Sequence, residues 1–441
     1  MLTFAERKLL YNRCDPAEPL APEDDRNVDL DARSQAGSRV RGVVWVDRLA
    51  ERIELAGRPT LELYTGLPGS GKSTELRRLA ARLARSDQAN LLPVLVDAEE
   101  TLDLTSKVDI VDVLAAVLAA TDAAVLALEG RSPDLALQDG PLTRLWAWLS
   151  RTDVSLTSGQ LGLPAGASLV VEMKTRPALR ERVRGVVASH LSHFLNEVRA
   201  ELERLERRAQ AQGRAGLVVI VDSLEKLRGT STSWHDVLNS AEQIFAGGAP
   251  YLRLPVHVLY TIPTALVSRR FERVQFMPMI KLQSREGQPW APGMQAAREI
   301  VRRRVPDAQL RELLGPDAEA QVNRLITWSG GYPRVLVQLL REVLAHSHPP
   351  LSASDLTRML NEQRDAYRQI VPAEAFGWLA QVADEKFLTL NDDTQRPAVD
   401  LMLSNNVILR YQNDDLWYDL HPAVLEIPGI QAARQARKTR G

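Results

Sequence analysis

The chain has 441 residues, with 55 basic and 56 acidic side chains for a net charge of −1, and a single cysteine, Cys14. That length accommodates two or three domains with cores of their own, and the balanced charge excludes a global field aimed at nucleic acid or a membrane surface, leaving only local patches. One cysteine excludes an internal disulfide framework and fits a reducing compartment, the cytoplasm.

The opening MLTFAERKLL has too short an apolar run for a signal peptide, and charge interrupts it. No run of 18 apolar residues is present, so no membrane span is expected. Residues 1–13 read as a short helix, and the polar, turn-rich stretch 15–39 as a loop or draped linker. Helical spacing through Leu49, Ile53 and Leu55 marks residues 44–56. The apolar run Leu61–Tyr64 predicts a buried strand, followed by a glycine-rich turn and a helix with Leu76 and Leu79 on one side.

A second strand is predicted at 91–97 and a helix at about 108–122. Residues 129–175 break the alternation and read as an insertion, with short strands or an ordered loop in SLTSGQLGLPAGASLVVEM; such insertions often carry partner contacts. One long helix is predicted over 177–211, its stripe running through Leu191, Phe194, Leu195, Val198, Leu202 and Leu205. The run Leu217–Val221 reads as a central parallel strand ended by Asp222. A helix at 235–246, a strand at 255–261 and a last strand within 274–282 follow. Strands separated by helices predict an α/β domain with a parallel sheet, whose ligands bind beyond the carboxyl ends of the strands; Gly66, Asp222 and Thr261 fall at such ends. Beyond about 285 the pattern turns helical, at 291–304, 317–328, 333–345 and 353–368. Helices at 372–382 and 397–404 then precede the alternating pair VILRYQNDDLWYDL, the outline of a winged helix.

The turn matches G-x-x-x-x-G-K-[ST], with Gly66, Gly71, Lys72 and Ser73 in place and Pro68, Gly69, Ser70 and Thr74 completing it. Small residues let the backbone curl so that its N–H groups face an anion, and the helix start adds a partial positive charge. Lys72 then reaches the β and γ phosphates of ATP, and the Ser73 hydroxyl suits Mg²⁺. The bland alternative is a glycine-rich turn with a surface lysine. Asp222, at the end of a buried strand, is placed to hold Mg²⁺, or simply to cap the next turn. Glu225 is placed to orient water, or to pair with Lys226 or Arg228; Thr261 to meet the γ-phosphate, or merely to finish its strand. Arg269 and Arg270 are read as a solvated surface rather than as an arginine finger. In SGGYPRVLVQLL, Gly331 and Pro333 permit a tight helix entry that can pack against adenine. His421 alone reads as a packed or capping histidine.

GLPGSGKST at 66–74, LVVIVDSLEKL at 217–227, SGGYP at 329–333 and a winged helix ending in DLHP at 419–422 together resemble the STAND branch of AAA+ ATPases, relatives of NACHT and NB-ARC proteins, over roughly residues 40–428. The resemblance implies an α/β P-loop NTPase domain at 40–285, a helical lid at 286–370 and a winged-helix domain at 371–430, with an N-terminal extension at 1–39 and a basic tail at 431–441. It assigns Lys72 and Ser73 to the phosphates and metal, Asp222 and Glu225 to metal and water, Gly331 and Pro333 to adenine, and His421 to the β-phosphate of ADP as a latch. A hydrophobic-Gly-Arg segment usual in the family corresponds to WVDRLAE, with Arg48 retained and Asp47 where glycine is usual. No effector domain is recognised before residue 40 and no sensor repeats after 430. The implied function is a slow ATPase switch that self-associates in the ATP state, with a separate effector or sensor chain as partner and a place in bacterial signalling or antiviral defence. The rivals are a DNA-associated AAA+ ATPase, against which the acidic wing turn Asn413–Asp414–Asp415 argues, and a nucleotide-binding adaptor with little turnover.

Overall fold

The computed structural model describes residues 2–30, 39–132, 140–157, 168–227, 233–246, 249–269, 274–346, 348–388, 395–412 and 415–439. They form two compact units, one of residues 47–65 and 76–275, the other of residues 1–46, 66–75 and 276–441.

The first unit is built on a sheet. Strands β1 (Leu61–Gly66), β2 (Leu91–Asp97), β3 (Gly216–Asp222), β4 (His257–Thr261) and β5 (Val274–Met277) run in the order β2-β3-β4-β1-β5. The pairs β2–β3, β3–β4 and β4–β1 are parallel. β3 is covered on both faces, which is why Leu217–Val221 carries no polar residue and is at most 1% exposed. Tyr64 stands opposite Thr261, Val221 opposite Tyr260 and Asp97 opposite Asp222, so the carboxyl ends of these strands line one edge. Helix Ile110–Leu128 packs on β2 and on helix Leu191–Ala211, which lies on β3. It starts at a reciprocal Asp109–Asp112 capping box. It is the one helix among the described residues long and apolar enough to cross a membrane, and it is mostly buried in this core.

Three expectations change here. The helix expected at 108–122 continues to Leu128. The single helix expected over 177–211 is two, Pro177–Ser189 and Leu191–Ala211, because His190 leaves helical geometry at φ −135°. In the insertion, LVVEM is the helix Leu169–Thr175 rather than a strand: Leu169, Val170 and Met173 share its buried face. Helix Pro141–Thr152 precedes it, and there is no strand among the described residues of 129–175. Residues 133–139 and 158–167 lie outside the described residues.

The second unit gathers the glycine-rich loop, the N-terminal segment and everything after residue 276. β5 lies within the expected 274–282 and stops at Met277, where Pro278 has no N–H to give a ladder. The chain beyond it is pinned instead by Met279 N to Arg410 O (3.0 Å), Ile280 N to Gly331 O (3.1 Å) and Lys281 N to Val40 O (2.9 Å). Helices Ala291–Arg302, Ala318–Trp328, Pro333–Ala345 and Ala353–Ile370 lie near their expected bounds. A further helix, Asp307–Leu314, was not expected; Pro306 opens it and Gly315, at φ +80°, closes it.

Helices Phe376–Glu385 and Arg396–Ser404 lead to the antiparallel pair β6 (Ile408–Gln412) and β7 (Leu416–Leu420), the winged-helix outline. Tyr411 and Trp417 stack across it at 4.4 Å. Buried Asp419 accepts from Lys386 Nζ (2.6 Å), Gln283 Nε2 (3.2 Å) and Leu420 N (2.9 Å). Of the wing turn, residues 413–414 lie outside the described residues. The basic tail is helical, Pro428–Lys438, and packs on Phe376–Glu385.

Candidate phosphate-binding site

β1 ends at Gly66 and helix Lys72–Leu83 begins six residues later. Between them the backbone curls through Gly69 at φ +80° and Gly71 at φ +97°, a region that costs an L-residue steric strain. Space is equally restrictive. A Cβ on Gly66 would lie 2.8 Å from Met277 O, and one on Gly69 2.7 Å from Tyr332 Cε2 and 2.8 Å from Arg334 Cβ. The Lys72 side chain is 3% exposed and folds over the loop, with Nζ donating to Gly66 O (2.9 Å) and Leu67 O (3.3 Å). Ser70 N donates to Leu67 O, while the buried Ser70 Oγ has no hydrogen-bond partner. The helix's first internal bond from beyond the loop is Glu75 N to Gly71 O, so the N–H groups of its first turn have no intrahelical acceptor. A curled backbone, an ammonium, the N–H groups of a helix start and an unpartnered hydroxyl are the donor set an anion requires.

Other parts of the same unit close on this loop. Tyr332 Oη donates to Pro68 O, and Asn406 Nδ2 reaches both Pro68 O (3.3 Å) and Tyr332 Oη (2.8 Å). Arg41, 3% exposed, donates through Nη2 to Ser70 O at 2.6 Å and through Nη1 to Glu75 Oε1 at 3.1 Å. Leu20 N donates to Thr74 Oγ1 (3.3 Å), and Arg334 Nε to Pro16 O (3.2 Å). The stretch after residue 14 is therefore draped on the loop and on the lid helices, where Arg13 donates to Arg303 O (2.7 Å) and Arg303 to Asn27 O.

Gly331, at φ +75°, packs against backbone: a Cβ there would lie 1.8 Å from Ile280 O. Pro333 is the first residue of its helix. His421 is fully buried and caps Pro422–Leu425, its Nδ1 accepting from Ala423 N (3.1 Å). That bond assigns the ring proton to Nε2, which is buried without a partner. The ring lies 4.7 Å from that of Tyr367 and edge-on to Tyr332 at 6.5 Å.

In the sheet unit, Asp222 accepts from Ser223 N (2.8 Å), and Ser223 takes the left-handed conformation at φ +69°. This bend starts the 3₁₀ turn Leu224–Lys226, which carries Glu225, 9% exposed. Thr261 Oγ1 accepts from Leu224 N (3.0 Å), so the hydroxyl at the end of β4 holds the turn that follows Asp222. Arg48 is exposed on helix Trp45–Glu54, where Asp47 pairs with Arg82. Arg269 ends the 3₁₀ turn Thr264–Arg269, and Arg270 lies outside the described residues.

Sequence reading missed Arg41, Tyr332, Arg334 and Asn406. Tyr332 and Arg334 had a local signal, flanking Pro333 in a segment already taken to face the nucleotide. The others reach the loop across long sequence separations that no spacing rule records.

No family model matches the chain, and no curated protein matches it. Among solved structures it is similar to a Walker-type ATPase of Pyrococcus abyssi, with 14% identity, 93% of this chain and 100% of that chain covered and a TM-score of 0.39. It is also similar to the ORC2 protein of Aeropyrum pernix in ADPNP–ADP complexes, with 11% identity, 95% and 98% covered and a TM-score of 0.36. Drosophila ORC bound to DNA shows 13% identity, 98% and 93% covered and a TM-score of 0.37.

Burial lowers the His421 pKa from 6.5 to about 3. Below pH 6.5 the unfolded chain therefore binds a proton that the folded chain refuses until about pH 3, and stability falls as pH falls through that window. The slope approaches about 1.4 kcal/mol per pH unit. In His421→Asn, whose side chain still caps the turn, this contribution is absent. The stability gap between wild type and variant, measured by urea unfolding, is predicted to shrink by about that amount per unit between about pH 6 and about pH 4; a constant gap contradicts the buried neutral ring.

Proposed function

We propose that the chain is an ATP-binding, ATP-hydrolysing switch of the AAA+ type. The observation that carries this is the cradle at Gly66–Thr74, with two glycines at positive φ and Lys72 buried over the loop's own carbonyls. In this reading the backbone N–H groups of the loop and Lys72 Nζ bind the β and γ phosphates, Nζ exchanging Gly66 O and Leu67 O for phosphate oxygens. Ser73 and Asp222 are the residues that would hold Mg²⁺, which would supply neutralisation of phosphate charge. Among the described residues there is no group of three or more His, Cys, Asp or Glu able to hold a metal ion by itself. Glu225 takes the proton of a water that attacks the γ-phosphorus as its bond to the β–γ bridging oxygen breaks, leaving ADP and phosphate. Thr261 fixes the turn that carries Glu225. Arg334, against Gly69, supplies a second cation to the phosphates, and Gly331 and Pro333 shape the adenine side.

The finer reading is a STAND-type switch. Its support is that winged-helix and lid residues close on the loop: Asn406 and Tyr332 on Pro68, with His421 behind Tyr332 and its Nε2–H free for a phosphate oxygen of ADP. ATP disfavours that latch, the lid opens and the chain self-associates; hydrolysis resets it. A separate effector or sensor chain is the partner of this reading, in signalling or antiviral defence. Arg48 contributes to the nucleotide only if helix Trp45–Glu54 faces it.

A second reading, a DNA-associated AAA+ ATPase such as a loader or transposition regulator, is supported by the basic last turn of helix Pro428–Lys438. Arg434 and Arg437 are paired with Asp384 and Glu385, which leaves less charge for phosphates and favours the switch.

Lys72→Ala is predicted to weaken ATP binding at least about tenfold by calorimetry, and Glu225→Gln to bind ATP normally while losing about 100-fold or more in turnover; wild-type affinity in the first sinks the site. Tyr332→Phe combined with Asn406→Ala is predicted to form the ATP-state oligomer at lower ATP concentration, read by light scattering, and an unchanged distribution removes the latch. Duplex DNA titrated at low and moderate salt is predicted not to bind; salt-dependent binding would promote the second reading.

A further inference from the structure

We infer that Arg41 is a positioning residue of the phosphate loop, one that acts on bound nucleotide only through the backbone it holds; this rests on the nucleotide reading above. In a trans peptide the C=O and the following N–H point in opposite directions. Arg41 Nη2 donates to Ser70 O at 2.6 Å and so draws that carbonyl to its own side. The N–H of Gly71, in the same peptide unit, is thereby turned the other way, into the cradle. Gly71 accepts the resulting φ of +97° because it has no Cβ; one built there would come within 3.4 Å of Arg41 Nη2.

The guanidinium is itself held on several sides. Nη1 donates to Glu75 Oε1 at 3.1 Å, in the first turn of the helix the loop leads into, and lies 3.4 Å from Met277 Sδ. Glu75 N in turn donates to Gly71 O, closing a ring of contacts around the Ser70–Gly71 peptide. A planar fork with several donors suits this bridging, where a single ammonium would serve one acceptor at a time.

Arg41 is also seated by its neighbours. Val40 O accepts from Lys281 N, and Gly42, at φ +77°, lies so close to Gln412 that a Cβ would stand 2.9 Å from both its Cγ and its carbonyl oxygen. Gln412 is the last residue of β6. Arg41 therefore connects the seat of the winged-helix hairpin to the peptide that presents the Gly71 N–H.

The test uses the full chain with ADP, titrated by calorimetry, together with the ³¹P resonances of the bound nucleotide. Arg41→Met is predicted to lose about tenfold or more in ADP affinity and to shift the β-phosphate resonance while the α-phosphate resonance stays in place; Arg41→Lys lies between it and wild type. Wild-type affinity within about twofold, or a loss of affinity with an unmoved β-phosphate resonance, overturns the assignment. Should the Met variant fail to fold, the Lys variant decides on the same two readouts. Failure of the nucleotide reading looks different: wild type then binds no ADP, or binds it equally well in Lys72→Ala, and the role of Arg41 falls with it.

Discussion

A backbone can offer consecutive N–H groups to an anion only if the intervening carbonyls are turned away and given partners of their own. The loop between Gly66 and Lys72 meets that requirement at four of its carbonyls. Pro68 O is taken by Tyr332 and Asn406, Ser70 O by Arg41, and Gly66 O and Leu67 O by Lys72. The partners come from four places: the segment before β1, the lid helix, the turn before β6 and the loop itself. The arrangement accounts for buried polar groups that the core alone would not favour, Arg41, Lys72 and Asn406 among them. It also accounts for residues 15–30, which form no helix or strand after helix Phe4–Arg13: Pro16 O, Leu20 N and Asn27 O are bonded to Arg334, Thr74 and Arg303.

The sheet prepares a second set of groups by a different device. β3 is apolar on both faces and stops at Asp222, and the left-handed Ser223 bends the chain at once into the turn bearing Glu225. A non-glycine residue at φ +69° is strained, and strain of this kind persists where surrounding contacts fix it. Here the fixing contact is the Thr261 hydroxyl on Leu224 N. In the proposed reading, hydrolysis would draw on the turn that carries Glu225, and binding on a loop held by Arg41, Tyr332 and Asn406. A switch needs such a division, because ligand contacts that differ between two lid positions are what shift the population.

Legibility in the sequence followed the range of the interactions. β1 with its glycine turn, and β2, β3 and β4, were readable because each is a short apolar run ended by a turn signal, and the phosphate loop because its spacing is local. The break at His190 was not, since the apolar stripe resumes at Leu191 as though unbroken. Helix Asp307–Leu314 was hidden between two longer periodic runs. The helix in LVVEM was hidden in a stretch read as short strands or an ordered loop, because a five-residue apolar run does not reveal its period. At the site, Asp222 and Lys72 announce themselves by position, whereas Arg41 and Asn406 do so only through contacts spanning up to 338 residues of chain.

The central claim is that this chain grips polyphosphate by its backbone and Lys72. Its most direct test is competition: ATP with Mg²⁺ is titrated into the wild-type chain by calorimetry, alone and against inorganic tripolyphosphate. The account predicts saturable one-to-one ATP binding that tripolyphosphate displaces. Absence of ATP binding, or ATP binding indifferent to tripolyphosphate, would contradict it.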